Sequence, residues 1–223
     1  MAELVTILGS SGVGKSSSIR NLNPKETFVV QCTPKMLPFK GGGKNYKLIS
    51  KENPEGNLYV TDKSKAICEI IKKIGNDKRF NVVVIDDLTL TMTNSYMRQV
   101  RHKAVGAEAY DKFNNIGADF SEIVDSALAI DRDDLIVYVM LHTKTDDFGV
   151  IDLKTVGTLV RNLVSIEAKV SVSLYANCED NNYTFITNGL NLVKSPMGMF
   201  DTLKIDNDLA YVTEQIKKYK DEN

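Results

Sequence analysis

A short stretch near the start of the sequence carries residues suited to holding a chain of phosphates. It runs from Gly9 to Ser16, reads GSSGVGKS and matches the pattern GxxxxGK[ST] in full. In this pattern glycines let backbone N–H groups turn inward around the phosphates, the lysine reaches the outer phosphates, and the hydroxyl binds Mg²⁺. We therefore predict a nucleotide-binding loop, with Lys15 as a catalytic cation and Ser16 as a metal ligand. The residues expected to contact the nucleotide are Gly9, Ser10, Ser11, Gly12, Val13, Gly14, Lys15, Ser16 and Ser17.

Two adjacent acids, Asp86 and Asp87, close the apolar run 81–85. A phosphate loop of this kind needs a second acid to hold Mg²⁺, usually at the end of a neighbouring strand. We predict that Asp86 is the acid on the metal side. Asp87 is then the catalytic residue nearer the attacking water, as its base or its orienting group. The alternative is that one of the two acids caps the following helix.

A single histidine, His142, ends the apolar run 135–141. A run that is apolar at every position is typical of a strand covered on both faces of a parallel sheet. The carboxyl ends of such strands meet at one edge, so His142 is expected to face the same crevice as the γ-phosphate. It is a candidate catalytic residue that senses hydrolysis by hydrogen bonding, and the alternative is a purely structural histidine.

The segment after this histidine, 143–146, reads TKTD and resembles the [NT]KxD motif that selects guanine. A GTPase also needs DxxG at the metal-side acid, so that the glycine N–H meets the γ-phosphate. Here the third residue after Asp86 is Thr89, and the third after Asp87 is Leu90. Because the glycine is missing from both registers, we predict that the cofactors are ATP and Mg²⁺.

The elements that must position these residues alternate between strands and helices along most of the chain. Asp62 is expected to cap a helix that Gly75 ends, and residues 170–187 are expected to form an antiparallel hairpin at the sheet edge. The pattern predicts one α/β domain over residues 1–223, with a mostly parallel sheet flanked by helices. The other segments are strands at 4–8, 27–32, 81–87 and 135–141, and helices at 110–128, 156–164 and 207–219.

The composition is that of an ordinary globular chain of 223 residues, with 43% hydrophobic residues and a net charge of −1. Bulk charge of this size does not hold a protein to nucleic acid, so any DNA contact must come from a local patch. No apolar run approaches the roughly 18 residues of a membrane-spanning helix. The first residues include Glu3 and no basic region, so no secretory signal is expected.

The order of motifs along the chain suggests a family. The segments GSSGVGKS, VVVIDD, YDKFNNIG, HTKTDDFG, KSPMGMF and IDNDL together resemble bacteriophage-encoded ATP-binding proteins of the RecA-like P-loop group, which includes the RecA-like single-strand annealing proteins. The resemblance extends from Gly9 to about Leu209. It implies a RecA-type ATPase core that binds ATP and Mg²⁺ and acts in phage DNA recombination, annealing or replication. We also expect a homo-oligomer in the host cytoplasm. By residue the resemblance transfers to the phosphate loop and to Asp86.

A lysine-rich segment, residues 33–51, contains five lysines and no acid. Lysines follow phosphates and aromatic rings stack on unpaired bases, so the segment is a candidate contact for single-stranded DNA. The alternatives are that this segment covers the bound nucleotide, or that it is simply exposed to solvent. The residues assigned to DNA contact are Lys35, Phe39, Lys40, Lys44, Tyr46 and Lys47.

Lys194, in the segment KSPMGMF, is a candidate for completing the site of a neighbouring subunit, by analogy with arginine fingers. Its alternative is an exposed surface lysine. The sequence thus predicts a phage ATPase acting on DNA, with single-strand-binding or other phage replication proteins as partners. The competing interpretation is a nucleotide-bound scaffold or switch that recruits replication proteins without contacting DNA.

Overall fold

The computed structural model describes residues 1–100 and 107–222 of the chain. The strands are β1 (Glu3–Gly9), β2 (Thr27–Gln31), β3 (Leu58–Val60), β4 (Val82–Asp86), β5 (Ile136–Thr145), β6 (Ile151–Leu153), β7 (Val172–Glu179), β8 (Asn182–Ile186) and β9 (Lys204–Asp206). They form a continuous sheet in the order β3-β2-β4-β5-β1-β7-β8-β9, and β6 pairs with the end of β5. The first six strands in this order are parallel to one another, whereas β8, β9 and β6 are antiparallel to the strands they pair with.

Helices cover both faces of this sheet, which is why its strands are apolar at nearly every position. Along β5, Val137 and Val139 point into one core, while Tyr138 and Met140 point into the other. Successive side chains of a strand alternate between faces, so a continuous apolar run fills two cores at once. The helices are α1 (Gly42–Asn45), α2 (Ser64–Asn76), α3 (Thr89–Gln99), α4 (Ala107–Leu128), α5 (Gly157–Leu163), α6 (Ile166–Lys169) and α7 (Leu209–Asp221).

The mostly parallel α/β sheet with an antiparallel hairpin, β7–β8, confirms the predicted fold class. Two details differ from the sequence expectations. Strand β9 pairs outside the hairpin, so the hairpin is one strand in from the edge. Asp62 does not cap α2, because its carboxylate instead accepts hydrogen bonds from Asn94 and Arg98. A 3₁₀ helix, Ser16–Asn21, follows the phosphate loop.

The order of strands also corrects the expected relation between the loop and the acids. Strand β4, which ends at Asp86, is not the neighbour of β1, because β5 lies between them. Gly9 at the end of β1 is in register with His142 on β5. The histidine therefore lies between the phosphate loop and the acid pair. Within the described ranges no helix is both long enough and apolar enough to cross a membrane.

Candidate nucleotide-binding site

The predicted phosphate loop turns sharply between β1 and the 3₁₀ helix. Gly14 has φ of +90°, a conformation that side chains with a Cβ adopt only under strain. A Cβ at Gly14 would also lie 2.7 Å from the Tyr183 ring, and one at Gly9 would lie 2.9 Å from the carbonyl oxygen of Ala176. Both glycines are thus required by this packing, and they bring the loop close to β7 and β8.

Lys15 lies inside this loop and is 7% exposed. Its ammonium donates hydrogen bonds to the carbonyl oxygens of Gly9 at 2.7 Å and Ser10 at 2.6 Å. Burial lowers the pKa of Lys15 to about 8, although the charges of Asp87 and Asp86 act in the opposite direction. A buried ammonium whose two closest hydrogen-bond acceptors are neutral carbonyls is well placed to accept an anionic phosphate as a better partner.

The two predicted metal ligands lie next to each other. The Ser16 hydroxyl donates to Oδ1 of Asp86 at 2.8 Å, and Asp86 is 1% exposed. Mg²⁺ prefers hard oxygen ligands and in nucleotide sites takes one or two from protein, with waters and phosphates supplying the others. A hydroxyl and a buried carboxylate therefore fit this ion in donor chemistry.

Lys35 from the lysine-rich segment reaches the same pair of residues. Its ammonium lies 3.2 Å from Oδ2 of Asp86 and donates to the Ser16 hydroxyl at 3.3 Å. A tethered cation thus contacts both groups that would hold Mg²⁺. This position supports a nucleotide-site role for Lys35 rather than the DNA contact expected from the sequence.

His142 connects the loop to the second acid. Its Nδ1 lies 3.4 Å from the Lys15 ammonium, and its Nε2 lies 3.0 Å from Oδ1 of Asp87. Lysine can only donate, so Nδ1 is the acceptor in the contact with Lys15, and the ring proton then lies on Nε2, the nitrogen nearer Asp87. The three predicted catalytic residues form a chain from Lys15 through His142 to Asp87.

Asp87 has φ of +71°, a left-handed conformation that aspartate tolerates better than most residues. The next residue, Leu88, donates its N–H to the Met140 carbonyl, so pairing with β5 holds the turn. Helix α3 begins without a side-chain cap, and the alternative that one of the acids caps it is wrong. Both carboxylates instead face the cleft.

These residues line a cleft of about 380 Å³ at the carboxyl edge of the sheet. Tyr183 on β8 also lines it, and sequence reasoning missed this residue because only the sheet order brings β8 to the loop. Pro38 is a second lining residue without a sequence signal. The predicted loop residues in the lining are Ser11, Gly12, Gly14, Lys15, Ser16 and Ser17.

The remaining predicted DNA contacts lie apart from this cleft. Lys44 and Lys47 line a different cleft at the amino ends of the strands. Tyr46 is 2% exposed and packs edge-on against Phe39, with ring centroids 6.3 Å apart. The expectation that Tyr46 stacks on bases is therefore wrong, because its ring belongs to the core, and the partly buried Phe39 supports that ring. Lys40 is exposed and lines neither cleft.

Lys194 is exposed, and its backbone pairs with Ser173 beside β7. Its side chain is not part of the lining of the nucleotide cleft in its own chain. Its action on a neighbouring subunit stays a prediction.

Comparison with known proteins finds no matching family model and no matching curated sequence. Among solved structures, the chain is similar to an ATPase of the type III secretion system of pathogenic bacteria, with a TM-score of 0.50 and 9% identity. The alignment covers 78% of this chain and 50% of the other, so the chain spans half the length of that ATPase. The RadB recombinase aligns with a TM-score of 0.48 and 13% identity, over 82% of this chain and 79% of RadB.

At these identities the similarity to the secretion ATPase concerns the fold alone. The strand order, the loop after β1 and this similarity define the fold as that of a RecA-like P-loop NTPase.

Proposed function

We propose that this chain binds ATP together with Mg²⁺ in the carboxyl-edge cleft and hydrolyses it. The observation that carries the proposal is the contact between Ser16 and the buried Asp86, beside a lysine enclosed by a complete phosphate loop. Phosphate transfer needs little covalent chemistry from a protein, and depends mainly on positioning and charge stabilisation. The cleft offers both.

Lys15 is the residue that holds the outer phosphates. In the structure its ammonium is bound to the carbonyls of Gly9 and Ser10, and a phosphate oxygen offers a charged partner instead. Ser16 and Asp86 would hold the ion, which would neutralise charge on the phosphates. The loop N–H groups then orient the nucleotide.

Asp87 is the residue that orients or deprotonates the attacking water. His142 lies 3.0 Å from its carboxylate at Nε2 and contacts Lys15 through Nδ1, so it lies between the acid and the phosphate-binding cation. A change at the γ-phosphate that moves Lys15 alters the environment of His142 directly. This contact supports the sensor role of the histidine.

The base is adenine rather than guanine. Oδ1 of Asp146, the acid of the TKTD segment, accepts hydrogen bonds from the N–H groups of Phe148 and Val150 and closes the turn between β5 and β6. In a guanine site this carboxylate binds the base, whereas here it is used for the turn. The position of Asp146 therefore supports ATP.

The ATPase acts on single-stranded DNA in phage recombination, annealing or replication, as a homo-oligomer to which Lys194 contributes from the adjacent subunit. The order of motifs along the chain and the basic side chains on the segment after β2 support this role on DNA. Phage replication proteins, including single-strand-binding proteins, are the expected protein partners.

Calorimetric titration with ATP and GTP in the presence of Mg²⁺ tests the nucleotide assignment, with tighter binding of ATP expected. An equal or higher affinity for GTP contradicts it. Phosphate release with and without single-stranded DNA tests the remainder of the proposal. Turnover stimulated by DNA is the expected result, and nucleotide binding without any turnover or DNA response would favour the scaffold interpretation.

A further inference from the structure

A second cleft lies at the opposite edge of the sheet, where β2, β3 and β4 begin. Its volume is about 530 Å³, larger than that of the nucleotide cleft. Three separate loops form it, because the residues that precede each of these parallel strands meet at the same edge. The lining residues used below are Lys25, Lys44, Lys47, Arg79, Glu55 and Asn57.

The charge of this cleft is strongly positive. Lys25, Lys44, Lys47 and Arg79 line it and are all exposed. Glu55 is the one carboxylate in the described lining, and its 83% exposed side chain pairs with Arg79. Arg79 also pairs with Asp77 beside the cleft, so the excess positive charge comes from the three lysines. The chain as a whole has a net charge of −1, so this concentration of cations is local.

The cleft is held in shape by one buried amide. The Asn57 side chain is 9% exposed and donates to the carbonyls of Pro24 at 2.7 Å and Asn45 at 3.1 Å. Its oxygen accepts the N–H of Lys47 at 2.9 Å. One amide thus connects the loops that carry Lys25, Lys44 and Lys47, so the cations converge without needing a ligand to order the backbone.

We propose that this amino-edge cleft binds the phosphates of single-stranded nucleic acid. The inference deepens the proposed function, on which it rests, by placing the DNA contact away from the nucleotide cleft. An acidic protein segment is the competing polyanion, but protein partners are normally anchored by apolar side chains. None of the exposed large apolar side chains among the described residues lines this cleft. Affinity must then come from charge, which provides most of the affinity of proteins for a phosphate backbone.

The test is fluorescence anisotropy of a labelled oligothymidylate against wild type and a triple variant, Lys25→Gln, Lys44→Gln and Lys47→Gln, over a range of salt concentrations. Each phosphate contact to a single strand contributes a slope of about −0.7 to log affinity against log salt. The triple variant should therefore flatten the slope by about 2 and keep wild-type ATP affinity by calorimetry. Exchanging exposed lysines cannot readily unfold the chain, and thermal melting of each variant verifies this.

The matched control is a second triple variant on helix α2, Lys65→Gln, Lys72→Gln and Lys73→Gln, which makes the same change of charge outside both clefts. Its slope should equal that of wild type. A third variant, Glu55→Gln, removes the only carboxylate of the described lining and should tighten binding severalfold. Tighter oligonucleotide binding in the Glu55 variant and weaker binding in the triple lysine variant would support binding of nucleic acid in this cleft.

Three results overturn the inference, and each has a different meaning. If wild type binds the oligonucleotide and the cleft variant binds equally well, the DNA site lies elsewhere and the proposed function stands. If wild type does not bind it at any salt concentration, the DNA part of the proposed function fails as well. If polyglutamate of equal charge displaces the oligonucleotide as well as an unlabelled strand does, the cleft is a site for acidic protein.

Discussion

The two clefts at opposite edges of the sheet differ in how their cations are balanced. At the carboxyl edge, Lys15 and Lys35 face Asp86 and Asp87, two carboxylates that are 1% and 8% exposed. At the amino edge, four exposed cations face a single exposed carboxylate. In a nucleotide that binds together with Mg²⁺, the ion neutralises part of the phosphate charge, so a site with equal numbers of cations and carboxylates suits it. A bare phosphate backbone brings only negative charge and suits an unbalanced one.

The largest expected effect is the loss of ATP hydrolysis when Asp87 in the carboxyl-edge cleft is replaced. Asp87→Asn should slow ATP hydrolysis by about 10² to 10⁴-fold, the usual contribution of a positioned acid–base group. ATP binding should change little, because Asp87 contacts His142 rather than the Ser16 metal ligand. Steady-state phosphate release measures the first quantity and calorimetry the second. Asp86→Asn is the paired variant and should weaken binding that depends on Mg²⁺.

Wild-type turnover in the Asp87→Asn variant would place the base elsewhere. The chain from Lys15 through His142 to Asp87 would then be structural only.

Removing the enclosed cation is expected to have the next largest effect. Lys15→Ala should weaken ATP binding by at least about 100-fold, since hydrogen bonds to charged groups contribute about 1.5–3 kcal/mol each. Calorimetry with ATP and Mg²⁺ measures the change. Lys144→Ala, which removes an exposed lysine outside the cleft, is the matched control and should bind ATP as wild type does. Equal affinities in the two variants contradict the assignment of the loop.

The affinity for ATP in the carboxyl-edge cleft should depend on pH. The pKa of Lys15 is lowered to about 8 from its ordinary 10.5, so above pH 8 the free protein loses this proton. Bound phosphates favour the charged form, and binding above pH 8 therefore requires proton uptake. ATP affinity should fall by up to about tenfold per pH unit between 8 and 10. Calorimetry in buffers of different ionisation enthalpy measures the uptake, and a flat affinity profile over this window contradicts the shift.

The same pKa difference affects folding in the opposite direction. Between pH 8 and 10.5 the unfolded chain binds more protons at Lys15 than the folded chain does. The contribution of Lys15 to the free energy of unfolding should therefore rise with pH across this window. Chemical denaturation of wild type and Lys15→Met at several pH values measures this contribution by difference. An identical pH dependence in both proteins would show that the lysine is not desolvated.

The smallest expected effect concerns Lys35. Its ammonium contacts both Ser16 and Asp86, so Mg²⁺ without nucleotide must first displace it. In Lys35→Met the ion has no such competitor, and a Mg²⁺ concentration about ten times the dissociation constant of this variant should raise its melting temperature by about 3–6 °C. Wild type and a Lys40→Met control should respond less. An equal response in all three proteins contradicts the displacement.

The sequence predicted what is encoded locally and missed what depends on pairing or on long connections. The loop 9–16 and the acids after β4 are contiguous motifs, and the structure brings them together. Tyr46 looked like a stacking residue among lysines, yet its ring is in the core beside Leu37 and Leu58. The burial of this ring is evident only from the three-dimensional packing of the segment between β2 and β3 against the sheet.

Three short strands and one aromatic residue were missed for related reasons. Strands β3, β6 and β9 have three residues each, too few for an alternating pattern to stand out. Tyr183 reaches the phosphate loop because β8 follows β7 in the sheet, an arrangement that no spacing in the sequence specifies.

The connection between β2 and β3 places Lys35 in one cleft and Lys44 and Lys47 in the other. One uninterrupted piece of backbone therefore contributes to both sites. Thermodynamic linkage then imposes an equality on the two proposed ligands. If bound Mg²⁺ and ATP change the affinity for a nucleic acid strand by some factor, the bound strand must change the affinity for Mg²⁺ and ATP by the same factor.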